Sequence, residues 1–253
     1  MSSSQSTRCA SSPRSLHSHT DAEAFTLPTK PVIMVFVGRQ ESGKSYAIKS
    51  LMNQWAKIDH FSYGVVFTGT KFTGAYKYLP EKCVQEWKGN PSLQGYIEKL
   101  RKWQEKTGKP CPPNFVILDD LLGSINWYDP WMTNWIGNFR HTNTTVIVAA
   151  QYLAQGSSTT FRECTNYAFM FNSSNEDSMK FMSKFFGGMK LAVPGKDRQI
   201  EFERLLQRVT EAEQYQALLY RNNRKTVQET FLAWKADPVP DDLKIKLRGV
   251  KEE

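Results

Sequence analysis

The sequence contains no run of 18 consecutive apolar residues, so no segment is expected to cross a membrane as a helix. Its four cysteines, Cys9, Cys83, Cys111 and Cys164, form no CxxC pair, and its four histidines supply no metal-ligand spacing. A zinc centre and a disulfide framework are therefore not expected, and the thiols read as reduced, in a cytosol-like compartment. No internal repeat is present. The opening stretch, Met1 to Leu27, lacks the apolar core of a secretory signal. It is Ser-rich, and Asp21 and Glu23 balance Arg8 and Arg14 without an amphipathic pattern, which argues against a transit peptide. Residues 1–28 are expected to be a disordered tail.

What is present is enough apolar material for one sizeable core: 253 residues, 40% hydrophobic and 13% aromatic, which excludes a wholly disordered chain. The formal net charge of +8 favours a polyanionic partner, although the bases are widely spread. From Pro31 the texture changes. Val32 to Val37 is a continuous apolar, largely β-branched run, the signature of a strand buried on both faces. A Gly-containing turn follows, then apolar positions at helical spacing from Tyr46 to Met52. Further strands are expected at Tyr63 to Thr68, Asn114 to Asp119, Thr144 to Ala150 and Tyr167 to Phe171. Helices are expected at Leu93 to Lys106, Pro130 to Phe139, Glu176 to Phe186 and Ile200 to Val209, and a hairpin over Gln216 to Trp234. Strands alternating with helices predict an α/β fold, a mostly parallel sheet flanked by helices, with a C-terminal helix and hairpin appendage. The domain would run from 29 to 236, with its core at 31–171 and the appendage at 172–236. Residues 237–253 read as a charged tail that frays.

Three motifs carry chemistry. Gly38-Arg39-Gln40-Glu41-Ser42-Gly43-Lys44-Ser45 is a full GxxxxGK[ST] sequence, set between a strand and a helix. Backbone N–H groups of such a loop converge on phosphate oxygens, and the following helix points its positive end at them, so Gly38 to Ser45 and Tyr46 at the helix start are the expected nucleotide-binding residues. Lys44 would reach the β- and γ-phosphates of ATP and Ser45 would bind Mg²⁺. Glu41 is an unexpected acid there, read as turned to solvent or paired with Arg39 or a neighbouring subunit, with a role as an additional acid the lesser reading. Next, Phe115-Val116-Ile117-Leu118-Asp119-Asp120 ends an apolar strand in two acids, the Walker B pattern. Asp119 is the partner of the metal, and Asp120 either polarises the attacking water or caps the following loop. Last, Thr145 to Gln151 ends a buried strand in an amide, at the crevice where open α/β sheets bind ligands. Gln151 would sense the γ-phosphate or the lytic water, or cap a loop. Arg162, and secondarily Arg140, could stabilise transition-state charge from across a subunit boundary, or serve as a surface or DNA-contacting cation. The tryptophans, among them Trp87, Trp103 and Trp131, suggest base-stacking platforms but fit the core or an interface better. Lys77 to Lys109 is rich in bases offset by acids, a solvated face or a phosphate-contacting one.

Taken together, GRQESGKS, FVILDDL, RHTNTTVIVAAQ and FRECTN resemble the poxvirus-type genome-packaging ATPases of large DNA viruses and virophages, within the FtsK–HerA superfamily. The resemblance runs from about Pro31 to Phe171. It implies a RecA-like P-loop fold of the ASCE type, and roles in nucleotide binding for Lys44 and Ser45, in metal binding for Asp119, in water activation for Asp120, as sensor for Gln151 and as trans-acting finger for Arg162. It further implies a ring of subunits around double-stranded DNA that pushes a genome into a preformed capsid, with a vertex or portal protein as a further partner. The place of action would be the host cytoplasm or viral factory, or the virion. Two rival readings are a P-loop ATPase that translocates or remodels DNA in another role, and a nucleotide kinase. The kinase is disfavoured because no Arg-rich lid cluster is evident.

Overall fold

The Ile33–Val37 run forms strand β1, and all five of its residues are buried. A strand with two buried faces must lie inside a sheet with helices on both sides, and β1 does. The computed structural model describes residues 25–69, 74–121, 123–151, 158–173, 176–187, 197–222 and 226–250. In chain order these give β1, α1 (Lys44–Lys57), β2 (Tyr63–Thr68), β3 (Val84–Glu86), α2 (Asn90–Thr107), β4 (Asn114–Asp119), α3 (Pro130–Asn138), β5 (Thr144–Ala150), α4 (Thr159–Cys164), β6 (Tyr167–Met170), α5 (Glu176–Met182), α6 (Asp197–Ala212), β7 (Gln216–Arg221), α7 (Val227–Thr230) and β8 (Phe231–Lys235). The sheet order is β3-β2-β4-β5-β1-β6-β7-β8. The first six are parallel, while β7 and β8 extend the sheet antiparallel. The α/β class and the terminal hairpin match expectation.

Strand alternation divides the core in two. Ile33, Val35 and Val37, with Val116, Leu118, Val146 and Val148, face a layer that includes Leu93, Ile97 and Leu100 of α2 and Trp135 of α3. Met34 and Phe36, with Ile117 and Ile147, face Ala47, Ile48, Leu51 and Trp55 of α1. Local signals end the helices where the sequence allows: Asp129 accepts from the Met132 N–H at the start of α3, and Gly108 takes the left-handed conformation just past α2. Far from the loop, the buried Asn114 side chain donates to Thr142 O (2.7 Å) and accepts from Thr144 Oγ1 (2.9 Å), locking the start of β4 to that of β5. Among the described residues no helix is long and apolar enough to cross a membrane, and Cys83, Cys111 and Cys164 are free thiols.

Three expectations need correction. The segment 237–250 does not fray; it runs back beneath α1 as a strap. Gln54 donates to Asp237, Lys49 to Pro240 O, Ile245 N–H to Tyr78 O and Gly249 N–H to Ser62 O. Ile245 and Leu247 are buried against Trp55 and Phe61, so two isolated apolar residues anchor a stretch whose composition reads as solvent-exposed. The tail is packed over residues 25–28: Phe25 contacts the rings of Tyr167, Phe169 and Trp234, and Trp55 Nε1 donates to Pro28 O. The rest of that expectation, residues 1–24, lies outside the described residues. Finally, the mixed region after Thr68 contains an edge strand, β3, that periodicity did not reveal.

Candidate nucleotide-binding site

The loop from Gly38 to Gly43 leaves the C-terminal end of β1 and enters α1, so parallel strand order alone sets its neighbours. The ends of β5 and β4 lie on one side and that of β6 on the other. Gly38 N–H donates to Ala150 O, and Arg39 N–H to Asn172 O, pinning the loop from both sides. Gly38 is sterically required, because a Cβ there would stand 2.6 Å from that of Phe171. Gly43 has φ +100 and precedes α1 with no side-chain cap and no acid in the first turn. The first N–H groups of a 14-residue helix are thus left open, with their partial positive charge unneutralised. Such an end suits a phosphate chain.

Lys44, half-buried, curls over the loop and donates to Gly38 O (2.8 Å) and Arg39 O (2.7 Å). Burial lowers its pKa, while Asp120 and Asp119 act to raise it. Asp119, at the end of β4, is pushed up to about 6, first by burial and then by the charge of Asp120; Tyr76 and Lys44 pull the other way. A half-buried carboxyl held so reluctantly neutral or charged is a good place for a cation. Asp120 is exposed, has φ +54, and accepts from Gln151 Nε2 at 2.8 Å. The two residues expected at the ends of adjacent strands are therefore in direct contact. Ser45 and Glu41 are exposed, Glu41 with φ +61. Among the described residues no group of three or more His, Cys, Asp or Glu side chains gathers to hold a metal alone. Mg²⁺ needs no such cage, since phosphate oxygens and water fill most of its shell; the donors here suit it.

The two arginines lie elsewhere. Arg140 is exposed in the turn preceding β5, at the end of the parallel strands opposite the loop. Arg162, in α4, donates to Thr159 Oγ1 (2.9 Å) and lies 4.3 Å over the Phe185 ring. Neither joins the loop of its own chain. Asn166, the last residue of FRECTN, takes a structural part: its Oδ1 accepts from Ile33 N–H, tying the start of β6 to β1. Two residues beside Asp119 escaped sequence reading. Burial raises the phenol pKa values of Tyr76 and Tyr78, and the Asp119 carboxylate raises them further. Tyr76 interacts with Asp119, though in a geometry short of a full hydrogen bond. Their Tyr-x-Tyr spacing, in a segment without regular periodicity, gives no usable signal.

A glycine-rich phosphate loop at the end of a central parallel strand, with an acid ending the strand two places away, defines a P-loop ATPase. A family model described as the poxvirus A32 protein matches residues 22–219. The chain belongs to that family, the one its motifs resemble. No curated protein gives a significant match. Among solved structures, the genome-packaging NTPase B204 from Sulfolobus turreted icosahedral virus 2, in complex with AMPPCP, aligns with TM-score 0.57 and 15% identity, over 84% of this chain and 100% of that one. B204 from Sulfolobus turreted icosahedral virus, described as a DNA-packaging ATPase, gives 0.55 and 16%, over 85% and 100%. EssC (ATPases 2 and 3) from Geobacillus thermodenitrificans gives 0.51 and 12%, over 85% of this chain but 41% of that one. At such identities these likenesses bear on the fold.

Proposed function

We propose that the chain is an ATP-hydrolysing motor that drives double-stranded DNA into a preformed viral capsid, working as a ring of subunits. The observation that carries the hydrolytic part is the Asp120–Gln151 contact beside the phosphate loop. In this reading the loop amides and the open end of α1 bind the phosphates of ATP, and Lys44 leaves its loop carbonyls to reach the β- and γ-oxygens. Ser45 and Asp119 would hold Mg²⁺, which when bound neutralises charge on the phosphates. Asp120 accepts the proton of a water that Gln151 helps orient for in-line attack, a contribution of ~10²–10⁴-fold for general-base action. Because Arg140 and Arg162 stand away from their own loop, a finger role for either calls for a neighbour's site, and Arg162 is the preferred finger.

Membership in the poxvirus A32 family supports the packaging role. The net charge of +8 and the exposed run Lys99, Lys102 and Lys106 along α2 are consistent with a DNA-backbone contact. A motor that must accept every sequence contacts phosphates, and such binding weakens steeply with salt. The test is ATP hydrolysis by wild type and Lys44→Ala, with and without long double-stranded DNA, across a salt series. The expected result is Lys44-dependent turnover that DNA raises and salt suppresses. Turnover indifferent to DNA would leave an ATPase without a reason to call it a packaging motor.

A further inference from the structure

On the side of the loop away from Asp119, one aromatic residue has no part in the chemistry above. Tyr215 lies between α6 and β7, with a third of its surface (36%) exposed and its backbone at φ +60. A bulky residue in the left-handed region is uncommon and costs about 1 kcal/mol or more. The side chain is held by two contacts. Its ring stacks on Tyr46, with centroids 4.2 Å apart and planes inclined by 21°. Its Cδ1 is also so close to Gly43 that a Cβ there would stand 2.9 Å away. Tyr46 is fixed in turn, its hydroxyl accepting from Val239 N–H of the strap at 3.3 Å.

Sheet order gives this pair a direction. Asp119, Asp120 and Gln151 lie at the ends of β4 and β5, on one side of β1; β6 and β7, the latter directly preceded by Tyr215, lie on the other. A nucleotide whose γ-phosphate faces the acids must extend its nucleoside toward β6 and β7. The open N–H groups at the start of α1 run from Lys44 to Tyr46, since Ala47 N–H is the first to find an intrahelical partner, Gly43 O. An exposed aromatic ring held rigidly at that point is suited to a planar base.

We propose that Tyr215, braced on Tyr46, is the platform on which the purine base of the bound nucleoside triphosphate stacks. The proposal rests on the phosphate-site reading and extends it to the other end of the ligand. Stacking is tolerant of base identity, so the platform favours purines over pyrimidines only modestly and confers little choice between ATP and GTP. It also couples base occupancy to the loop, because the ring that meets the base is the ring that presses on Gly43.

The experiment is calorimetric binding of ATP, CTP and inorganic tripolyphosphate, each with Mg²⁺, to the full chain and its Tyr215→Phe, Tyr215→Leu and Lys44→Ala variants. Tripolyphosphate carries the phosphate chain of ATP without the nucleoside. Tyr215→Leu, which keeps bulk over Gly43 but loses the ring, is expected to weaken ATP roughly tenfold, to weaken CTP less, and to leave tripolyphosphate unchanged. Tyr215→Phe is expected to bind all three like wild type. Equal losses for ATP and tripolyphosphate would mean that Tyr215 acts only by packing on the loop, and would overturn the proposal; so would unchanged ATP affinity. Wild type that binds no tripolyphosphate, or Lys44→Ala that binds it undiminished, would instead overturn the phosphate-site reading and the platform with it.

Discussion

Asp119 sits where burial holds its carboxyl at about 6, yet a carboxylate that binds a cation must be charged. The sign of the consequence follows from linkage. An acid whose folded pKa lies above its unfolded value of about 4 keeps a proton in the folded chain that the unfolded chain has lost. Its ionisation therefore costs stability as pH rises from about 4 to 6, and the cost is fully present above 6. Asp119→Asn cannot ionise, so in metal-free and nucleotide-free buffer it should be more stable than wild type at pH 7.5, by about 3 kcal/mol. That advantage should vanish by pH 4; denaturant unfolding at the two pH values checks it, and a gain that persists at pH 4 would assign the effect to something other than charge. Legibility at this scale was uneven. Lys44, Ser45, Asp119, Asp120 and Gln151 could be named in advance because each ends a strand or opens a helix in a pattern with few alternatives. Tyr76, Tyr78 and Tyr215 could not, since long-range packing brings them to the loop and to Asp119 from segments without a motif.

Among the elements, β2 and β4 show how tightly the site's scaffold is built. Gly64 of β2 pairs with Phe115 of β4, and the Phe115 ring occupies the space that a Cβ at Gly64 would need. Gly64→Ala should thus cost about 1–3 kcal/mol, measured as a lowered urea midpoint. Because β4 ends in Asp119, the same variant should also weaken nucleotide binding, whereas a change confined to stability would show that β4 tolerates the shift without moving its end. The strands around this contact were readable from sequence because β-branched runs buried on both faces have few other uses. Strand β3 was not, being three residues long with Gln85 and Glu86 exposed. The strap was missed for a related reason: Ile245 and Leu247 are spaced by two among charges and prolines, and what makes them core residues is Trp55 and Phe61, nearly 200 positions earlier in the chain.

For the whole molecule, the placement of the arginines makes a strong demand. Arg162 is bound to Thr159 and Phe185 of its own chain, so a finger role requires a second subunit. Lys44→Ala and Arg162→Ala chains, each nearly inactive alone, should regain hydrolysis when mixed, because some mixed interfaces carry an intact loop from one chain and an intact arginine from another. Melting curves for Arg162→Ala guard against a simple folding defect; no recovery from a well-folded pair would remove Arg162 from the finger role. Fold class was legible at this scale, whereas assembly was not, since spacing along one chain says little about the next. The strap, lastly, bears on how the protein comes into being. Ribosomal synthesis passes the eight described strands before it reaches Ile245 and Leu247, so Trp55 and Phe61 emerge early and wait for their cover. Until the strap docks, a chain whose sheet has formed still shows water a greasy patch beneath α1, an opening for chaperones and for aggregation alike.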